Sequence, residues 1–219
     1  MKNLKNALLL KQLYQLKQLG YQYTSVSPYR EDEPNFTLPN TLSALKNQAR
    51  ECHLCNLSKS RQKVVFGEGN PDAKLMIIGD EPSSSDDSTG KIFTGRAGEM
   101  LTKMLENVLG LSRNDVYITN LLKCKGLTMQ EPLPSHAHTC HPYLLKEIEL
   151  IKPKIIITLG ALAYDYLTGD DTPMEKIKGI INTQKNYLIM PTYHTNHLLR
   201  NPGAKKEVFE HLLQVKALI

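Results

Sequence analysis

Apolar residues along this chain fall into two rhythms. Four short unbroken runs, Leu75 to Ile78, Val116 to Thr119, Ile155 to Thr158 and Tyr187 to Met190, have the length of strands buried on both faces. Between them the spacing lengthens to helical periods, over Ala97 to Leu109, His141 to Ile151 and Ala161 to Leu167. A last stretch, about Ala204 to Lys216, sets Val208, Leu212 and Val215 on one helical face. Strands alternating with helices predict an α/β fold, a mainly parallel sheet covered on both faces. Upstream, Leu9, Leu13 and Leu16 mark an amphipathic helix, and residues 20–41 carry three prolines and little periodicity. The expected organisation is an N-terminal helix and extended linker over 1–41, ending at a helix start near Thr41, followed by one domain over 42–219.

The polar signals lie directly after the four apolar runs: "GDEPS", "NLLKCK", "LGA" and "PTYHTNHLLR". In open α/β sheets the ligand crevice lies outside the carboxyl ends of the strands, so these four loops are expected to line one crevice. The first carries Asp80, Glu81, Asp86 and Asp87 within eight positions, on a chain whose formal charge is +5. The positive balance points to a polyanionic partner, and concentrated carboxylates then need a specific reason to be there. For Asp86 and Asp87 that reason is expected to be capping of a helix or turn. The N-terminus has no secretory pattern and no apolar run approaches a membrane span, which predicts a soluble, cytoplasmic protein.

Cys52 and Cys55 form a C-x2-C pair on a polar segment, with Cys124 and Cys140 further along. Without a secretory signal, metal binding is a better reading of the four than disulfides. Four thiolates suit a tetrahedral zinc or a 4Fe-4S cluster, and spacing does not separate the two.

Taken in order, "CHLCNLSKSR", "VVFGEGNPDAKLMIIGDEPSSSDDSTGKIFTGRAG", "YITNLLKCK", "CHPYLLKEIELIKPKIIITLGALA" and "PTYHTNHLLRNP" resemble the family 4 uracil-DNA glycosylases. This bacterial and archaeal branch carries an iron-sulfur cluster, and the likeness runs from about Leu45 to Leu213. It implies a three-layer α/β/α sandwich around a central four-stranded, mainly parallel sheet. It implies a 4Fe-4S cluster on Cys52, Cys55, Cys124 and Cys140. The implied activity is that of a monofunctional DNA glycosylase of base excision repair, acting as a monomer on DNA. It would hydrolyse the N-glycosidic bond of a flipped, deaminated base, uracil or a relative such as xanthine or hypoxanthine.

The resemblance also assigns roles. His194 matches the histidine that donates to the base carbonyl, Asn120 the asparagine that reads a pyrimidine amide edge, and Phe93 the aromatic face on which the base stacks. Leu198 and Leu199 match apolar residues that wedge into the base stack, while Arg200 meets phosphate; Ser83, with Ser84 and Ser85, is a further candidate phosphate contact. Where the family motif runs close to G-E-(A/G)-P-G, this chain has G-D-E-P-S. Asp80, one methylene shorter than the family's glutamate, leaves more room in the base pocket and opens it to oxopurines. Glu81 replaces a small residue at the position where the distantly related family 1 enzymes, with G-Q-D-P-Y, keep a water-orienting aspartate. It is therefore expected to stabilise the cationic sugar and to position the attacking water, with Asp80 and His194 completing the catalytic set. Two other readings stand beside this one: a non-catalytic iron-sulfur DNA-binding module, and a zinc-stabilised scaffold without a DNA role.

Overall fold

Four strands pair side by side and parallel in the computed structural model, which describes residues 37–126, 134–184 and 186–219 with Lys11, Lys17 and Gln18. The amphipathic stretch through Leu9, Leu13 and Leu16 lies outside the described residues, and Leu38–Ile219 form a unit of their own. In chain order the strands are β1 (Glu68–Gly69), β2 (Leu75–Gly79), β3 (Tyr117–Asn120), β4 (Ile155–Leu159), β5 (Asn182–Gln184) and β6 (Tyr187–Thr192). Their order across the sheet is β1-β3-β2-β4-β6-β5. The inner four are parallel, as the apolar runs predict. The two edge strands, β1 and β5, are antiparallel additions of two and three residues. Neither is apolar, which is why hydrophobic patterning passes over them.

Alternation within each strand feeds two cores. Leu75 and Ile77 of β2, with Ile118, Ile155 and Ile157, face α3 (Gly95–Met104, prolonged by a π-helical turn over Leu105–Leu109) and α8 (Lys205–Lys216). Met76 and Ile78, with Tyr117, Ile156 and Ile189, face α4 (Pro134–Ile151), α5 (Ala161–Thr168) and α6 (Met174–Ile177). Helices thus cover both faces, giving the expected three layers. A smaller cluster of Leu45, Ala49, Phe66 and Tyr143 seats α1 (Leu42–Arg50) on α4. Thr41 starts α1, its Oγ1 accepting from the Ala44 N–H at 3.3 Å.

Inside the second core lies one ion pair. Glu147 and Lys123 are 0% and 2% exposed and bonded to each other. Tyr117 Oη donates to Glu147 Oε1 at 2.9 Å and Thr119 Oγ1 donates to the same carboxylate at 3.1 Å. Lys123 Nζ also donates to Thr119 Oγ1 and to the Asn120 carbonyl, each at 2.7 Å. Burial and the Glu147 charge both hold the Tyr117 phenol far above its ordinary value, so it stays a donor. Removing one member of such a buried pair strands the other. Glu147→Ala should therefore cost about 3–5 kcal/mol, read as a lower urea midpoint, and replacing both Lys123 and Glu147 with Met should recover most of that loss.

Candidate active site at the carboxyl ends of the strands

Register decides what meets at the sheet's carboxyl edge. Gly79 pairs with Asn120 on one side and Leu159 on the other, and Leu159 pairs with Thr192. These four residues form one row, and the chain leaves it through Asp80-Glu81, Leu121, Gly160-Ala161 and Tyr193-His194. The chain leaves β2 toward the face covered by α3, whereas it leaves both neighbouring strands, β3 and β4, toward the face covered by α4 and α5, so the acidic loop occupies a topological switch point. A cavity of about 990 Å³ opens there, and Asp80, Glu81, Phe93, Lys125, His194 and Arg200 are among its lining residues. Glu81 and His194 share it, as the convergence of the loops requires.

Glycines create the space. At Gly79 a Cβ would collide with Asn120 Oδ1 and crowd the Phe93 ring. At Gly160, where φ is +111°, it would collide with the Asp80 carboxylate. Asp80 Oδ1 accepts from the Ala163 N–H in the first turn of α5 at 2.9 Å. Burial nonetheless pushes its carboxyl up to about 7, with the neighbouring Glu81 charge acting in the same direction. Glu81 is ion-paired, accepting from Lys125 Nζ at 2.7 Å. Lys125 was not singled out from the sequence, although it lies in the strand-end loop "NLLKCK".

The other two carboxylates of the acidic loop are structural. Asp86 closes a capping box with Ser83 at the start of α2 (Ser84–Thr89) and accepts from the Thr94 N–H at 2.6 Å. Asp87 accepts from the Gln62 N–H at 3.0 Å. The Ser83 hydroxyl accepts from the Asp86 N–H and lies 3.0 Å from Ser85 Oγ, so both are engaged within the protein. Ser84 is exposed and lines the cavity.

His194 caps α7 (Thr195–Arg200), its Nδ1 accepting from the Asn196 N–H at 3.1 Å. That bond makes Nδ1 an acceptor and leaves the proton on Nε2. Burial, then the Arg200 charge, pushes its pKa down to about 4, so the ring is neutral near pH 7. The Phe93 ring lies beside it, centroids 5.8 Å apart and planes inclined by 28°. Phe93 belongs to the first core and also lines the cavity. Its backbone is left-handed, φ +49°, a conformation that costs a bulky residue about 1–3 kcal/mol. Asn120 is 1% exposed, and its Oδ1 has no hydrogen-bond partner among the described residues.

One expectation needs correction. Leu198 is 1% exposed and packs in the first core, because the short helix α7 turns it inward, so it is not free to wedge into DNA. Leu199, its neighbour, is only partly buried, and Arg200 is exposed at the cavity rim. The rim also holds acidic residues that were not singled out from the sequence, Asp165, Asp170 and Asp171. Of these, Asp170 is used locally, accepting from the Thr172 N–H and hydroxyl.

The four cysteines, none of them in a disulfide, line one apolar pocket with Leu57, Leu122, Lys123 and Tyr143. Arg61 Nη1 donates to Cys124 Sγ at 3.3 Å. Burial raises the thiol of Cys124 and pushes that of Cys140 up to about 12, opposed by Arg61 at the first and Lys123 at the second. A soft four-sulfur donor set with cationic neighbours fits an anionic iron-sulfur cluster. Among the described residues, no three Cys, His, Asp or Glu converge on a point where one metal ion could sit.

The family profile of the Uracil DNA glycosylase superfamily matches residues 66–215. A type-4 uracil-DNA glycosylase of Saccharolobus solfataricus is 40% identical over 81% of this chain and 86% of its own. Those of Sulfurisphaera tokodaii and Thermotoga maritima are each 34% identical, over 82% and 84% of this chain and 85% and 97% of theirs. The chain belongs to the uracil-DNA glycosylase superfamily, and so to the DNA glycosylases. Within it, the relatives just described are type-4 enzymes. Among the described residues no helix is long and apolar enough to cross a membrane.

The raised carboxyl of Asp80 has a sign that can be tested. Its folded pKa of about 7 lies above the ordinary 3.8, so the neutral form stabilises the fold at low pH and that contribution is lost as pH rises from about 4 through 7. Asp80→Asn should therefore gain stability relative to the parent between pH 5 and 8, measured as the difference in urea midpoints. A constant difference across that window would show that Asp80 titrates as in water.

Proposed function

We propose that residues 42–219 form a glycosylase domain that excises uracil from DNA, with residues 1–41 appended to it. The observation that carries this reading is the unpaired, buried acceptor of Asn120 at the end of β3, which borders the Gly79 gap together with the Phe93 ring. Phe93 in turn lines the cavity that holds the neutral His194 donor and the Asp80 and Glu81 carboxylates. An orphan acceptor costs about 1–3 kcal/mol unless a donor arrives. Uracil brings one, its ring N–H, whereas cytosine presents a bare ring nitrogen at the same place.

The flipped nucleotide enters the cavity and its base stacks on Phe93, while Ser84, Leu199 and Arg200 meet the DNA around it. As the bond from the sugar to the base lengthens, charge gathers on the base carbonyl oxygen, and the Nε2–H of His194 donates to it. Glu81, held by Lys125, faces the sugar, stabilises its developing positive charge and takes a proton from the water that attacks it. The base departs as an anion, with its bonding electron pair. Asp80 floors the base pocket. Its short side chain favours a second reading of the substrate, in which hypoxanthine or xanthine, whose rings also carry an N–H, is accepted.

We assign a 4Fe-4S cluster to Cys52, Cys55, Cys124 and Cys140. Its contribution is to fold, tying α1 and the loop after it to the end of β3 and to α4. The purified protein should then absorb in the visible, where a zinc site is colourless, and Cys140→Ser should lose that absorption.

Duplex oligonucleotides carrying uracil, hypoxanthine, xanthine or mismatched thymine, assayed for abasic sites, test the activity. His194→Ala should slow single-turnover release of uracil by about 10²- to 10³-fold. Glu81→Gln should lower turnover strongly while leaving DNA affinity equal or tighter, since a negative charge near phosphate is removed. Release of no base would favour a non-catalytic DNA-binding module, and unchanged turnover in Glu81→Gln would remove Glu81 from the chemistry.

A further inference from the structure

Phe93 is an aromatic residue in left-handed backbone, and such a conformation persists only when its surroundings hold it. They do so from three directions. The Arg113 guanidinium, from the turn before β3, donates through Nη2 to the Ile92 carbonyl at 2.8 Å and reaches the Phe93 carbonyl through Nη1 at 3.5 Å. At the other end of the Phe93–Thr94 peptide, the Thr94 N–H donates to Asp86. Behind, the Phe93 carbonyl lies against Gly98 of α3, where any Cβ would collide with it. The ring held in this way touches the Gly79 slot and lies beside His194. Phe93 is also a partition, since it lines both the main cavity and a shallower groove that Arg113 lines on the other side.

We propose that Arg113 is a positioning residue for the base-stacking face of Phe93: it clamps the strained 92–94 segment from outside the cavity and so sets the ring against the flipped base. This rests on the reading of Phe93 as the stacking platform. The guanidinium suits the task because its planar fork can serve two successive carbonyls, which an ammonium serves less well. Arg113 itself is absent from the lining of the main cavity, so its effect on reaction has to pass through the loop.

The experiment is a double-mutant cycle on the full chain, using Arg113→Met, Phe93→Ala and the two together, with single-turnover uracil release, duplex affinity and thermal midpoint measured for each. Arg113→Met should slow release by about 10- to 100-fold, the scale expected when a reacting group is misplaced. Its duplex affinity should stay within about twofold, because the phosphate contacts are elsewhere. In the Phe93→Ala background the same substitution should change release by less than about twofold, because its target is gone. Arg113→Lys should recover part of the loss. If Arg113→Met fails to fold, Arg113→Gln, which keeps an amide donor, takes its place in the cycle. Wild-type rates in the single variant, or effects that multiply fully in the double, would overturn the clamp. Release of no uracil by the parent protein would overturn the excision reading, and the clamp with it, whereas the first two outcomes leave excision standing.

Discussion

Parallel pairing of β2 with both β3 and β4 is the constraint on which the site depends. It puts Asn120, Gly79 and Leu159 in one row, which the pairing of β4 with β6 extends to Thr192. Slipping any strand by one residue would turn its side chains to the opposite face and break both cores. The hydrophobic requirement to keep Ile77 and Ile78 on their separate sides therefore fixes where Asp80, Glu81 and His194 emerge. Because β2 is the switch strand, its loop opens into a crevice and is not closed over by a neighbouring connection.

The concentration of acid on a basic chain resolves into a division of labour. Asp86 and Asp87 have their charge answered by backbone N–H groups and by the Thr94 hydroxyl, and they shape the loop. Glu81 is answered by Lys125, and Asp80, which has no ion-pair partner among the described residues, is pushed toward neutrality by burial. The crevice is thus less negative than its composition suggests, which reduces the conflict with a polyanion. His194 is the counterpart: burial and Arg200 keep it neutral, and its bond from Asn196 fixes the proton on the nitrogen that remains free to donate.

Behind the site, the Lys123–Glu147 network joins the two halves of the architecture. Lys123 donates to the carbonyl of Asn120 on one side and stands close to Cys140 on the other. A buried pair of this kind contributes little net stability compared with apolar packing, but it admits one arrangement of its neighbours and penalises others. Cysteine pocket and strand end are thereby held in one relative position.

Much of this was legible in the sequence. Four apolar runs announced the inner strands, Thr41 the first helix, and the polar segments following the runs announced the crevice, because periodicity and strand-end position are local properties. The short edge strands were not legible, since Glu68–Gly69 and Asn182–Gln184 owe their pairing to neighbours and not to their own pattern. Leu198 and Leu199 are adjacent and chemically alike; only the turn of α7 decides that the first is core and the second is not. Lys125 and Arg113 acquire meaning from partners 44 and about 20 residues away along the chain, Glu81 and the Ile92–Phe93 carbonyls. The sequence by itself determined the class of fold, the family and which residue types reach the crevice. Tertiary structure decided which carboxylate is paired, which is raised, which nitrogen of His194 carries the proton and how Phe93 is held, because each depends on burial and on contacts that exist only once distant segments have packed.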